Sequence, residues 1–172
     1  MITTILGIDP GTATTGYGVI TSDQSDVQYE TSGVIETPPE MDYPDRLKAI
    51  YDSVKQLSNS YEPDVAAVEE IFFNKNVKTA ITVGQARGVI LLSLSDYGRE
   101  MSAEFELVEY NPSTIKKVLT GTGKADKRTV QRIVKQELRL SGIPQPNDAA
   151  DGLAIALTYC FEDRFEDNLE YQ

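Results

Sequence analysis

The sequence predicts an α/β fold: a five-stranded mixed sheet flanked by helices. Two observations carry that expectation. Three short apolar runs near the start, Ile2 to Asp9, Thr15 to Thr21 and Val27 to Ile35, follow one another with only turn residues between them, as in an antiparallel meander. Two later runs, Asp64 to Val68 and Phe105 to Val108, alternate with segments of helical periodicity, as in parallel crossovers.

Each element has its own warrant. The first run reads as a short buried strand and stops at Asp9-Pro10-Gly11, where the Pro-Gly pair marks a turn. Pro44 to Ser58 carries Leu47, Ile50, Tyr51, Val54 and Leu57 at helical spacing. Lys75 to Ser95 reads as a long helix, with Val77, Ala80, Ile81, Gly84 and Gly88 forming a stripe that permits close packing. Pro112 to Leu119 is a helix cut off by Gly121-Thr-Gly123, and Lys127 to Leu138 is another with a basic outer face. Pro144 and Pro146 lead into a last helix, Asn147 to Phe161, and the acidic end beyond it reads as a solvated tail. No linker divides the chain, so one domain over 1–162 and a tail over 163–172 are expected.

Composition narrows the chemistry. The sequence has no histidine, which removes Ser-His-Asp and Cys-His catalysis. Cys160 is the only cysteine, so neither an internal disulfide nor a cysteine-based metal site is available. Any metal must be held by oxygen. No run is long enough to span a bilayer, and MITTILGIDPG lacks the marks of a signal peptide, so the expected compartment is the cytosol.

The net charge of −11 argues against nucleic acid as a partner, but its distribution argues the other way. Half of all Lys and Arg lies between Lys116 and Arg139, opposed only by Asp126 and Glu137. That is either a phosphate-binding patch on an acidic body or a solvated helix face.

Four acids stand out. Asp148 and Asp151, three apart, share one face of the last helix. With Asn147 as N-cap they have a plain reading as partners of the helix dipole. Asp9 closes the first strand and Glu69 the fourth; alone, each reads equally as a turn residue or a solvated strand end. If those strands are parallel neighbours, both carboxylates emerge at the sheet edge where α/β ligand sites form, and the last helix can add its pair. Such a cluster needs cations, because each carboxylate raises the pKa of the others. Mg²⁺ suits an all-oxygen set, and two ions roughly 4 Å apart would clamp an in-line phosphodiester displacement.

The segments GIDPGTATTGYGVI (7–20), AAVEEIFFNKNVKTAITVGQARGV (66–89) and NDAADGLAIAL (147–157) closely resemble the RuvC family of bacterial Holliday-junction resolvases. The resemblance runs from Ile2 to Cys160, in order and spacing. It implies a ribonuclease-H-like fold, a homodimer, and Mg²⁺-dependent symmetric nicking of two opposed strands of four-way junction DNA in recombination and repair. Two ions per site are implied, with Mn²⁺ able to substitute. The catalytic acids and metal ligands it implies are Asp9, Glu69, Asp148 and Asp151. It further implies DNA contacts by Phe72, by stacking on junction bases, and by Lys116 and Lys127 on phosphate, with Lys124 and Arg128 as accessory contacts. Phe72 has core packing as its alternative. The helix from Lys75 resembles the family's dimer helix, and a RuvA–RuvB type branch-migration complex is the implied partner. The low isoelectric point and Gly152, which weakens a helix, depart from expectation.

Rival readings predict different sequences. An actin- or sugar-kinase-like ATPase shares ILGIDPGTATTG but needs a longer chain and a second phosphate loop. A related nuclease acting on structured RNA, and a junction-binding module without activity, remain as alternatives.

Overall fold

Near-continuous apolar strands can be satisfied only by burial on both faces, and the computed structural model places them so. It describes residues 2–23, 26–71, 77–101 and 104–170. Strands β1 (Thr3–Asp9), β2 (Thr14–Ser22), β3 (Val27–Glu36), β4 (Val65–Glu69) and β5 (Glu106–Tyr110) form one sheet in the order β3-β2-β1-β4-β5. The β1–β2 and β2–β3 pairs are antiparallel, and β1–β4 and β4–β5 are parallel. The expected mixed sheet is therefore present.

Helices α1 (Tyr43–Tyr61) and α2 (Val77–Glu100) cover one face. Leu6, Ile8, Ala66 and Val68 pack there against Ile50, Val54, Ile90 and Leu94. Helices α3 (Pro112–Thr120), α4 (Lys127–Glu137) and α5 (Asn147–Glu170) cover the other. On that side Ile5, Val65 and Ala67 meet Ile115, Val134, Leu153 and Leu157. Alternation along each strand deals successive residues to the two layers.

Several boundaries move for identifiable reasons. Helix α2 continues past Ser95 because Leu94 and Tyr97 are buried, and Tyr97 packs edge-on against Phe105, with ring centroids 5.2 Å apart. Phe105 thus belongs to that contact, and β5 starts at Glu106. The expected helix start at Lys75 lies outside the described residues. Helix α5 runs on to Glu170, so the helical backbone continues into the acidic segment.

Helix α5 lies unusually close to the sheet. A Cβ on Gly16 would meet Asp148 O at 2.0 Å, one on Gly7 would meet Gly152 O at 2.2 Å, and one on Gly18 would meet Leu153 at 2.6 Å. Gly152 answers from the helix side: its Cβ would lie 2.4 Å from Tyr17 C. What reads in sequence as a weak spot in the helix is the point where two backbones touch.

Candidate active site

The register determines where the first two acids fall. Ile8 pairs with Val68 across the parallel β1–β4 ladder, so Asp9 and Glu69 come next, side by side at the carboxyl edge of the sheet. Both follow the alternation of Ile5 and Gly7, and of Val65 and Ala67, and so face α5. Because α5 begins over β2 at Gly16, the partner of Asp9, its first turn brings Asp148 and Asp151 to the same edge.

Asp9, Asp148 and Asp151 each offer a carboxylate oxygen within 4.8 Å of the others. Glu69 joins through a hydrogen bond with Asp9. Burial, then the neighbouring charge of Glu69, pushes the Asp9 carboxyl up to about 8. Burial also raises Glu69, while the Asp9 hydrogen bond and the Lys116 and Lys127 charges draw it down. Burial and proximity therefore disfavour ionising both carboxyls of the pair at once. Asp151 is raised by burial although Lys127 Nζ donates to its Oδ2 at 2.6 Å. Of these acids, Asp151 has a lysine partner, while burial works against the ionised forms of Asp9 and Glu69. An all-oxygen set of this kind fits hard divalent cations.

Above the acids is an open cleft of about 330 Å³, lined by Asp9, Glu69 and Asp151 on one side and by Lys116 of α3 and Lys127 of α4 on another. Asn111 caps α3, accepting from Thr114 N at 2.9 Å, and Asp126 caps α4, accepting from Thr129 N at 2.7 Å. These caps fix the helix starts beside the cleft. Lys124 and Arg128 are exposed on the α3–α4 turn and the first turn of α4. Arg139 leaves this group: it pairs with Asp26 at 3.0 Å, at the other end of the sheet. The sequence's basic window is therefore split, with only its first part beside the acids. Phe72 lies outside the described residues.

Other contacts had no clear signal in the sequence. Arg46 of α1 donates through Nε to Thr37 Oγ1 at 2.9 Å and through Nη2 to Thr12 O at 3.1 Å. With Thr37 N donating to Ala13 O, this clamps the loop that follows Asp9. Asn147 is the first residue of α5, and its side chain accepts from Gln131 Nε2 at 3.0 Å.

A family model described as Crossover junction endodeoxyribonuclease RuvC matches residues 5–159. The chain belongs to the RuvC family of crossover junction endodeoxyribonucleases. A RuvC of Rubrobacter xylanophilus is 49% identical over 160 residues, covering 93% of this chain and 86% of its own. A RuvC of Chloroflexus aggregans is 46% identical over 156 residues, covering 91% and 92%. The structure of Thermus thermophilus RuvC in complex with Holliday junction substrate superposes with a TM-score of 0.87 at 32% identity, covering 95% of this chain and 96% of that one. The chain accordingly has the ribonuclease-H-like fold of RuvC, and its enzyme class is that of a structure-specific DNA endonuclease acting on Holliday junctions.

Proposed function

We propose that the chain works as a homodimer that nicks two opposed strands of a four-way DNA junction symmetrically. In this reading Asp9, Glu69, Asp148 and Asp151 hold Mg²⁺, two ions per site, with Mn²⁺ able to substitute. The observation that carries it is the convergence of these acids from three elements at one sheet edge, under a cleft whose far wall is lysine. Bound there, the metal supplies an activated water and stabilises the leaving oxygen.

The chain's own groups do the rest. The four carboxylates, set by the β1–β4 register and the α5 approach, fix the ligand positions before substrate arrives. Lys116 and Lys127 on the cleft wall bind the phosphates that flank the cut, and Lys124 and Arg128 extend the contact along the backbone. Phe72, three residues past Glu69, stacks on unpaired bases at the junction.

The dimer forms through α2. Ile81 is 57% exposed and Leu92 52%, and the spacing of Ile81, Gly88 and Leu92 puts them on one helical stripe. Among the described residues a Cβ on Gly88 would meet nothing within 4 Å, so none of them requires a glycine there. A second α2 approaching closely would. Residues 1–162 form the nuclease domain with an acidic tail behind it. The enzyme acts in the cytoplasm alongside a RuvA–RuvB type branch-migration complex.

The test is paired-strand nicking of a synthetic four-way junction, with and without Mg²⁺, beside linear duplex and an RNA hairpin. Symmetric, Mg²⁺-dependent nicks on the junction alone are expected. Binding without cutting in Mg²⁺ and Mn²⁺ would return the binding-module reading, and cutting of the hairpin would favour the RNA nuclease.

A further inference from the structure

Helix α4 meets the acid-bearing turn of α5 at two points. Lys127 Nζ donates to Asp151 Oδ2 at 2.6 Å, and Gln131 Nε2 donates to Asn147 Oδ1 at 3.0 Å. The donors are four apart on α4, and the acceptors are four apart on α5 in the reverse order. This is the match expected of two helices running antiparallel with one turn of each in contact.

The two bonds differ in kind. Lys127 has a side chain 53% exposed on the cleft wall, so it can leave Asp151 for a phosphate or give way to a cation. Gln131 is only 7% exposed, lies between buried Val130 and Val134, and cannot leave without stranding a buried amide. Its partner Asn147 adjoins Asp148 in the chain. On the opposite side the α5 turn rests on the Gly16 backbone, which prevents movement inward but not rotation or lifting outward.

We propose that Gln131 is a positioning residue: through Asn147 it holds the first turn of α5 in place, and with it Asp148 and Asp151, once Lys127 has turned to the substrate. This rests on the reading of those two acids as metal ligands. Gln131 touches neither metal nor DNA, so its loss should appear in turnover and metal binding rather than in junction affinity.

The experiment compares Gln131→Met, Asn147→Ala, the double variant and Asp151→Asn in the full chain. Gln131→Met keeps the length and the packing, and Asn147 is exposed, so its variant tests the same bond without opening the core. Expected for each single variant is a fall in kcat of about 10- to 100-fold, the scale of an ångström-size misplacement. The junction KM should stay within about two-fold, and calorimetric Mn²⁺ affinity without DNA should weaken several-fold. The double variant should be no worse than either single one, because both remove the same bond. Losses that multiply, unchanged kcat and Mn²⁺ affinity, or a loss explained entirely by the unfolded fraction would each overturn the proposal. Asp151→Asn separates the two levels: if it cuts normally the metal-ligand reading fails, whereas an inactive Asp151→Asn beside a normal Gln131→Met removes only the role of Gln131.

Discussion

Gly152→Ala distinguishes a helix that merely lies near a sheet from one seated on its backbone. In an exposed helix interior the change would stabilise by about 1 kcal/mol, because alanine loses less backbone entropy. Here the new Cβ would sit 2.4 Å from Tyr17 C, 2.6 Å from Tyr17 Cα and 2.7 Å from Gly18 N. These are backbone atoms of a strand paired on both sides, so they cannot turn away as a side chain would. Restoring ordinary contact needs a displacement of roughly 1 Å, and overpacking of that size costs about 1–3 kcal/mol. The steric term should outweigh the propensity gain, lowering Tm by several degrees for a chain of this length.

Activity should suffer more than stability. Gly152 follows Asp151 directly, so lifting it tilts the acid-bearing turn away from Asp9. A displacement near 1 Å costs about 100-fold in rate. The assay is Mg²⁺-dependent junction nicking well below the measured Tm, with Gly142→Ala as a control, since a Cβ there meets nothing within 4 Å. A Gly152→Ala protein with unchanged or raised Tm and full cutting would refute the close seating of α5.

Asp9→Asn, Glu69→Gln, Asp148→Asn and Asp151→Asn should each abolish or severely reduce nicking while junction binding, measured by gel shift in Ca²⁺, is largely kept; cutting retained in any two would count against the metal site. The metal-free protein should lose stability as pH rises from about 4 to about 8. Asp9 goes from 3.8 to about 8 on folding, so the native state holds the extra proton in that window and releases it above. Melting curves across that range should show the fall in wild type and a weaker one in Asp9→Asn, and saturating Mg²⁺ should flatten it; equal slopes with and without Asp9 would exclude that carboxyl as the source. If the proposed dimer forms through α2, Leu92→Glu on its exposed stripe should give a folded monomer in sedimentation and unlink the paired nicks, whereas an unchanged dimer would move the interface elsewhere.

The parts of the fold that sequence conveys are those where one residue's type answers to one layer. Strands β1 and β4 are apolar on both faces because helices cover both, and that is visible as a run. Asp9 and Glu69 each end such a run, but alone either reads equally as a turn residue or a solvated strand end, and their shared edge depends on β1 and β4 being parallel neighbours. Less legible were features that depend on a partner's position. Gly152 looks like a defect until Gly7, Gly16 and Gly18 are seen beneath it, although glycines at Gly16 and Gly18, two apart on one strand face, are a signal of close approach. Gln131, in a helix rich in basic residues, reads as solvated, and nothing local tells that it faces Asn147. Arg139 counts toward a basic patch by sequence distance, but it lies past the end of α4 and pairs with Asp26 at the end of the sheet away from the acids.

The glycine stack and the acid cluster answer to one requirement. Four carboxylates on a sheet edge repel one another, and a fold free to relax would let the α5 turn drift outward until water separated them. Side chains between α5 and the sheet would allow such drift, since they can repack. Backbone against backbone cannot repack, and on the proposed reading the part-buried Gln131–Asn147 bond limits movement in the remaining direction. Burial first, and the neighbouring acids second, raise the Asp9, Glu69 and Asp151 carboxyls, and Lys127 is drawn onto Asp151. If these acids hold a divalent cation as proposed, its positive charge would offset part of the cost of keeping them ionised together. On the proposed reading, the residues that hold α5 in place would contribute to metal binding without touching the metal.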